Sequence, residues 1–193
     1  MIRAGDTIEN PVTGERVTFL KTAADTDGEV VVIDTTVAPD GFVAAEHIHP
    51  YQFERFEILL GEVEFKLGKE IVVAKPGDVV MVEPGTPHCF RNLSDKEEIR
   101  FRTEVRPALS FETFLQTMYG LASDGKTNKK GLPNPFRLAV IMQEQFDLVR
   151  LPFPPAWAQR TGLAFGAPLG RLLGYEPTYV SETDSERMDI VAA

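Results

Sequence analysis

Of the three histidines in this 193-residue chain, two stand one residue apart in Ala45-Glu46-His47-Ile48-His49-Pro50-Tyr51-Gln52-Phe53-Glu54-Arg55-Phe56-Glu57. On an extended strand, side chains two apart point the same way with α-carbons about 6.6–6.8 Å apart, so His47 and His49 can close on one ion. Divalent metals take imidazole nitrogen at about 2.0–2.1 Å, within the common reach of such a pair. The third histidine, His88, follows the Pro84-Gly85 turn, and a strand, a turn and a returning strand can bring it beside the first two. Carboxylates follow closely. Glu54 shares strand parity with Phe56 and Ile58, and Glu57 with Arg55 and Leu59, so the two cannot both face one pocket unless a bulge intervenes.

The segments that must position these groups read as short strands. Residues 16–20, 30–37, 56–60, 62–67, 71–73, 78–82 and 99–105 are rich in β-branched side chains, and Thr13-Gly14, Asp27-Gly28, Asp40-Gly41, Pro76-Gly77 and Pro84-Gly85 punctuate them as turns. This spacing predicts a mainly β fold, a small antiparallel barrel or sandwich over residues 1–106. In 62–67 charged residues alternate with Val63, Phe65 and Leu67, so one face packs inward and the other is solvated. Parity also turns Phe90 and Phe101 inward. Between His49 and Glu54 the parity changes, which calls for a turn or bulge in Pro50-Tyr51-Gln52-Phe53; proline, lacking a ladder donor, suits one.

After Arg106-Pro107 the period changes to that of helices. Phe111, Phe114, Leu115, Met118 and Leu121 recur at helical spacing behind Ser110, a candidate N-cap, and 138–149 reads as a second amphipathic helix. Pro155 to Gly174 is mostly small or apolar, with Gly162, Gly166 and Gly170 four apart, a spacing that lets helix backbones approach closely. It reads as a buried helix or one face of a dimer contact, since Arg160, Pro168 and Arg171 interrupt any membrane span. These features give a helical extension over 107–178, packed on the barrel or on a dimer partner, and an acidic, frayed tail over 179–193. The apolar content of the extension predicts a homodimer.

Taken together, the two histidine segments resemble the cupin superfamily. Its first motif is glycine, five residues, His-x-His, three or four residues, glutamate, six residues and glycine; Gly41, His47, His49, Glu54 and Gly61 match it. The second motif is matched by Gly77, Gly85, His88 and Asn92, with one departure: Glu83 stands where the motif has proline, and Pro84 follows it. The resemblance implies an antiparallel barrel of the double-stranded β-helix, or jelly-roll, kind. It also implies that His47, His49, Glu54 and His88 hold one divalent transition metal ion, and Fe, Mn, Ni, Cu, Co and Zn all suit that donor set. The implied function is a metal-dependent, oxygenase-like enzyme acting on a small organic molecule. A Lewis-acid isomerase or cyclase and a non-catalytic ligand-binding module are the alternatives. Within such a site Glu54 could also accept a proton, Phe90 and Phe101 could shape an apolar substrate pocket, and Gln52 could supply a polar contact.

Composition narrows the partners. The formal charge is −9, with the acidic excess concentrated in residues 1–106, so nucleic acid is not an expected partner. No apolar run approaches the roughly 20 residues of a membrane span, and the start of the chain lacks the apolar core of a signal peptide. The single cysteine, Cys89, permits no intramolecular disulfide and fits a reducing cytoplasm. By parity Cys89 points away from His88 and reads as an inert thiol. Lys126, Lys129 and Lys130 read as a solvated basic loop.

Overall fold

The computed structural model describes residues 2–181, so the tail expected from residue 179 lies, beyond Ser181, outside the described residues. The strands are β1 (Thr7–Asn10), β2 (Glu15–Lys21), β3 (Val31–Val37), β4 (Phe53–Leu60), β5 (Val63–Leu67), β6 (Glu70–Ala74), β7 (Val79–Val82), β8 (His88–Asn92) and β9 (Ile99–Arg106); the helices are α1 (Phe111–Ser123), α2 (Pro135–Glu144) and α3 (Ala156–Leu172). All strand pairs are antiparallel. A six-stranded sheet runs in the order β1-β2-β3-β9-β4-β7, and a three-stranded sheet in the order β6-β5-β8. The expected antiparallel β architecture with C-terminal helices is therefore present. Strand β1 escaped the sequence reading because four residues are too few for alternation to show.

The inner face of the large sheet is covered by two different partners. Toward one end Val37, Phe56, Ile58, Val80, Val82, Ile99 and Phe101 pack against Val63, Phe65, Ala74 and Phe90 of the small sheet. Toward the other end Val17, Phe19, Val31, Ile33 and Val105 pack against the helical region, through Phe111, Met118, Tyr119, Leu121, Ile141, Leu148 and Val149. Register puts both clusters on one face: in the β4–β9 pair Glu54 opposes Val105, Phe56 opposes Thr103 and Ile58 opposes Phe101. The seam between the two cores thus falls at the Glu54 end of β4. Gly61 lets β4 turn into β5 at φ 71°, where a Cβ would also come within 2.6 Å of Ile99.

The helices follow their sequence signals with three adjustments. Ser110 is the residue at the N-cap of α1, but its hydroxyl donates to Gln145 instead of capping the helix. Helix α2 starts at Pro135 behind Asn134, whose side chain accepts from Phe136 N–H at 2.9 Å, and stops at Glu144 rather than 149. Residues 145–150 leave the helix and run toward the β-structure. In α3 two of the three glycines face α2: a Cβ on Gly170 would meet Phe136 O at 2.4 Å and Val140 at 2.5 Å, and one on Gly166 would meet Ala139 at 3.2 Å, whereas Gly162 is exposed with nothing within 4 Å. The close approach foreseen from the spacing is thus made within the chain. No helix among the described residues is long and apolar enough to cross a membrane.

Gly170→Ala is expected to push α3 off α2 and lower stability by about 1–3 kcal/mol, read from urea unfolding. A second prediction concerns Glu15, buried on β2, where it accepts from the Thr13 hydroxyl at 2.7 Å. Burial pushes its carboxyl from 4.5 up to about 7, against opposing hydrogen bonds from Thr13 and Tyr119. The folded state then holds this proton more tightly than the unfolded state. Its contribution is fully present below the unfolded value near 4.5 and is lost as pH rises through about 7. Glu15→Gln should remove that slope and gain roughly 2 kcal/mol over the natural chain at pH 8, with little difference at low pH.

Candidate metal centre

At the seam, one ligand-capable atom from each of His47, His49, Glu54 and His88 lies within 4.8 Å of the others. The imidazole centroids are 4.3 Å apart for His47 and His88, 5.0 Å for His47 and His49, and 5.7 Å for His49 and His88. His49, Glu54 and His88 are buried, and His47 is partly exposed.

The His-x-His segment is not a regular strand, as the sequence had suggested, but an extended strap fastened on both sides. His47 and His88 exchange backbone hydrogen bonds of 2.9 Å each, and Gly85 N–H donates to His49 O at 2.9 Å. On the opposite edge Ile48 and Arg150 exchange bonds of 2.8 and 3.0 Å, so the segment after α2 pairs with the strap. A bend at Pro50-Tyr51 then reverses parity, and Gln52 and Glu54 enter β4 facing inward. Glu54 is central in its sheet, paired with Val105 on β9 and Val82 on β7.

Each imidazole has one nitrogen already committed. His47 Nδ1 bonds Ala45 O at 2.9 Å, His88 Nδ1 bonds Thr86 O at 3.0 Å, and His49 Nδ1 bonds Leu148 O at 2.8 Å. A carbonyl only accepts, so Nδ1 carries the hydrogen in all three rings and Nε2 is left as a lone pair in the neutral form. His88 Nε2 lies 2.8 Å from Glu54 Oε2 without the alignment of a hydrogen bond, and His49 Nε2 lies 3.8 Å from Glu54 Oε1. His88 Nε2 and Glu54 Oε2 are accordingly buried polar atoms with no hydrogen-bond partner.

The electrostatics agree with a cation site. Burial, aided by the charges of His88 and His49, drives His47 down to about 3, so its ring is neutral at physiological pH. Burial opposes ionisation of Glu54, but the three surrounding imidazoles outweigh it and hold the carboxyl down at about 2. Burial likewise opposes protonation of His88, and there the Glu54 carboxylate outweighs it and raises the ring above its usual range. Three Nε2 positions converging on one ionised carboxylate, with His88 Nε2 and Glu54 Oε2 lacking partners, fit a divalent cation that would take the place of the proton on His88.

A family model described as a cupin domain matches residues 33–105, from β3 to β9 and including all four of these residues. That segment of the chain is similar to a cupin domain. Among solved structures, a predicted oxalate decarboxylase from Thermotoga maritima is 23% identical, covering 55% of this chain and 98% of its own, at a TM-score of 0.48. KdgF from a Halomonas species is 13% identical over 57% of this chain and 96% of its own, also at 0.48. An uncharacterised double-stranded β-helix protein from Klebsiella pneumoniae is 22% identical over 56% of this chain and 84% of its own, at 0.43. No curated protein matches the chain.

The other residues singled out in the sequence take different places. Phe90 and Phe101 are buried in the core between the two sheets, their rings 5.0 Å apart and meeting each other, Phe56 and Phe65 in edge-on or tilted contacts. Gln52 is buried, with its amide nitrogen donating to Pro107 O at 2.8 Å and Ala108 O at 3.1 Å; its Oε1 has no partner. Cys89 lies on the outer side of β8, its thiol pushed up by burial and the nearby Glu46 carboxylate. Lys126 is engaged with Asp124 and the Tyr179 hydroxyl and ring.

Sequence reasoning missed the three carbonyls that set the imidazoles, because every residue has a carbonyl and no residue type announces one. Thr103 was missed too: it faces inward between Phe101 and Val105 with an unpartnered, buried hydroxyl. Asn92 of the second motif turns out to be a clamp. Its Nδ2 donates to Val37, Ala38 and Glu97 carbonyls at 3.2, 3.0 and 2.8 Å, and its Oδ1 accepts from Ser94 N–H at 2.9 Å. Asn92→Ala removes these four hydrogen bonds and is expected to destabilise the chain by about 2–3 kcal/mol in thermal or urea unfolding, while the binding of Co(II), followed by its visible absorption, persists in the folded fraction.

Proposed function

We propose that the chain is a metal-dependent cupin enzyme of oxygenase type, acting on a small organic molecule through one divalent transition metal ion held by His47, His49, Glu54 and His88. The observation that carries this reading is the convergence of three imidazole nitrogens, each freed by a carbonyl on the opposite nitrogen, upon one buried carboxylate. Such an ion, when bound, supplies Lewis acidity and, where it is redox-active, a place for dioxygen to meet an oxygen-donor substrate.

The chain's own groups do the rest. Ala45, Thr86 and Leu148 carbonyls hold the rings in the tautomer that offers Nε2. Glu54 stays ionised and offsets part of the ion's charge, and it is also the group in the site that could take a proton, at Oε2. Phe111, with its ring 6.1 Å from that of His49, gives the site an apolar wall that limits water on the α1 side. Gln52 Oε1 and Thr103 Oγ1 are buried oxygens without a hydrogen-bond partner, and this reading assigns them to polar contacts with the substrate. Phe90 and Phe101, buried in the inter-sheet core, are the side chains this reading assigns to the apolar side of a substrate pocket. The reading places the enzyme in a reducing cytoplasm, consistent with its lone Cys89, and has it work as a homodimer.

Metal analysis of protein purified without added metal is expected to find close to one ion per chain, with His88→Ala losing the ion but keeping its far-ultraviolet circular dichroism. Oxygen uptake with small chelating hydroxyketones and diphenols should follow the ion and vanish in His88→Ala. A folded natural chain that takes up no transition metal would sink this reading. Rearrangement of substrate without oxygen uptake would make the ion a Lewis acid in an isomerase or cyclase, and tight binding without turnover would make the chain a ligand-binding module.

A further inference from the structure

Helix α3 shows α2 its glycine face, and its opposite face is apolar and uncovered in the single chain. On that side, Trp157, Phe165, Leu169 and Leu172 are 73, 74, 51 and 84% exposed. Applied to whole-residue areas of roughly 180–260 Å², these fractions leave roughly 600 Å² of surface. That is the upper end of the about 300–600 Å² of the largest apolar patch on an ordinary monomer, and most of the about 800 Å² that each partner in a stable interface buries.

The patch is also free of charge. At about 100° per residue, positions 157, 161, 165, 168, 169 and 172 share one arc of about 120°, and only Thr161 in it is polar. The two charged residues of α3 lie on the flank and are turned to their own chain. Arg160 pairs with Asp147 at 2.8 Å, and Arg171 donates to Gln143.

We propose that this face is a two-fold self-association surface, with α3 of one copy crossing α3 of a second copy antiparallel near Phe165. A two-fold contact sets a patch against itself, so any charge on it would meet its like; a charge-free patch avoids that cost. Phe165 lies midway between Trp157 and Leu173, so antiparallel crossing seats Trp157 of each copy near the Leu172-Leu173 end of the other. A lipid surface fits less well. Interfacial helices keep a cation-rich polar face toward water, whereas the reverse side of α3 is packed on α2 and the chain carries a charge of −9. The proposal stands apart from the metal reading, and neither depends on the other.

Sedimentation equilibrium of the full chain is expected to give twice its 21.4 kDa, and Phe165→Glu, at an exposed position, to give the single-chain mass with unchanged circular dichroism. In a Cys89→Ser background, Phe165→Cys should cross-link two chains under mild oxidation, whereas Leu20→Cys on the outer face of β2 should not. A single-chain mass for the natural protein at high concentration, or a dimer that survives Phe165→Glu, overturns the proposal. So does flotation of the natural protein with vesicles of phosphatidylglycerol and phosphatidylethanolamine that is lost in Phe165→Glu.

Discussion

Three imidazoles meet in this chain, each bonded at Nδ1 to a backbone carbonyl, and one of them leaves a buried nitrogen, His88 Nε2, with no hydrogen-bond partner. That nitrogen and Glu54 Oε2, both without a partner, are what make the cluster a site. Two of the carbonyls are local: Ala45 and Thr86 each precede their histidine by two residues, so the turn that presents the ring also orients it. The third comes from Leu148, 99 residues beyond His49. The orientation of His49 therefore depends on the docking of the segment after α2, which the Ile48–Arg150 backbone pairing secures.

That dependence ties the centre to the architecture around it. The inner face of the large sheet is divided between the small sheet and the helices, and the four side chains sit where the two cores meet. Strand β4 serves both: Glu54 turns to the cluster while Phe56 and Ile58 anchor the core between the sheets. Packing on either side fixes the strap and β4 relative to each other, so the ligand geometry comes from rigid elements rather than from a free loop.

Two buried carboxylates illustrate how surroundings decide protonation. Glu54 and Glu15 both face desolvation, which favours the neutral acid. Around Glu54 three imidazoles more than compensate, and the group stays an anion suited to a cation. Around Glu15 the partners are the hydroxyls of Thr13 and Tyr119, which carry no charge, and burial prevails. Residue type and burial alone would not separate the pair; the neighbours do.

The sequence by itself determined much of this protein. Period-two alternation and glycine turns located most strands, because burial of one sheet face imposes that pattern directly. The histidine spacings brought three rings together and parity allowed only one of Glu54 and Glu57 beside them, while the resemblance to the cupin motif chose Glu54; the four side chains do converge. The row Gly162, Gly166 and Gly170 announced a close helix contact, but whether α2 or another chain received it was decided by folding. Only the tertiary structure could show that Leu148 orients His49, that Asn92 clamps three carbonyls, that α2 stops at Glu144 so that the chain can return to the strap, and that Phe90 and Phe101 belong to the inter-sheet core. Each of these rests on a backbone group or a distant partner, and neither leaves a mark in the order of side chains.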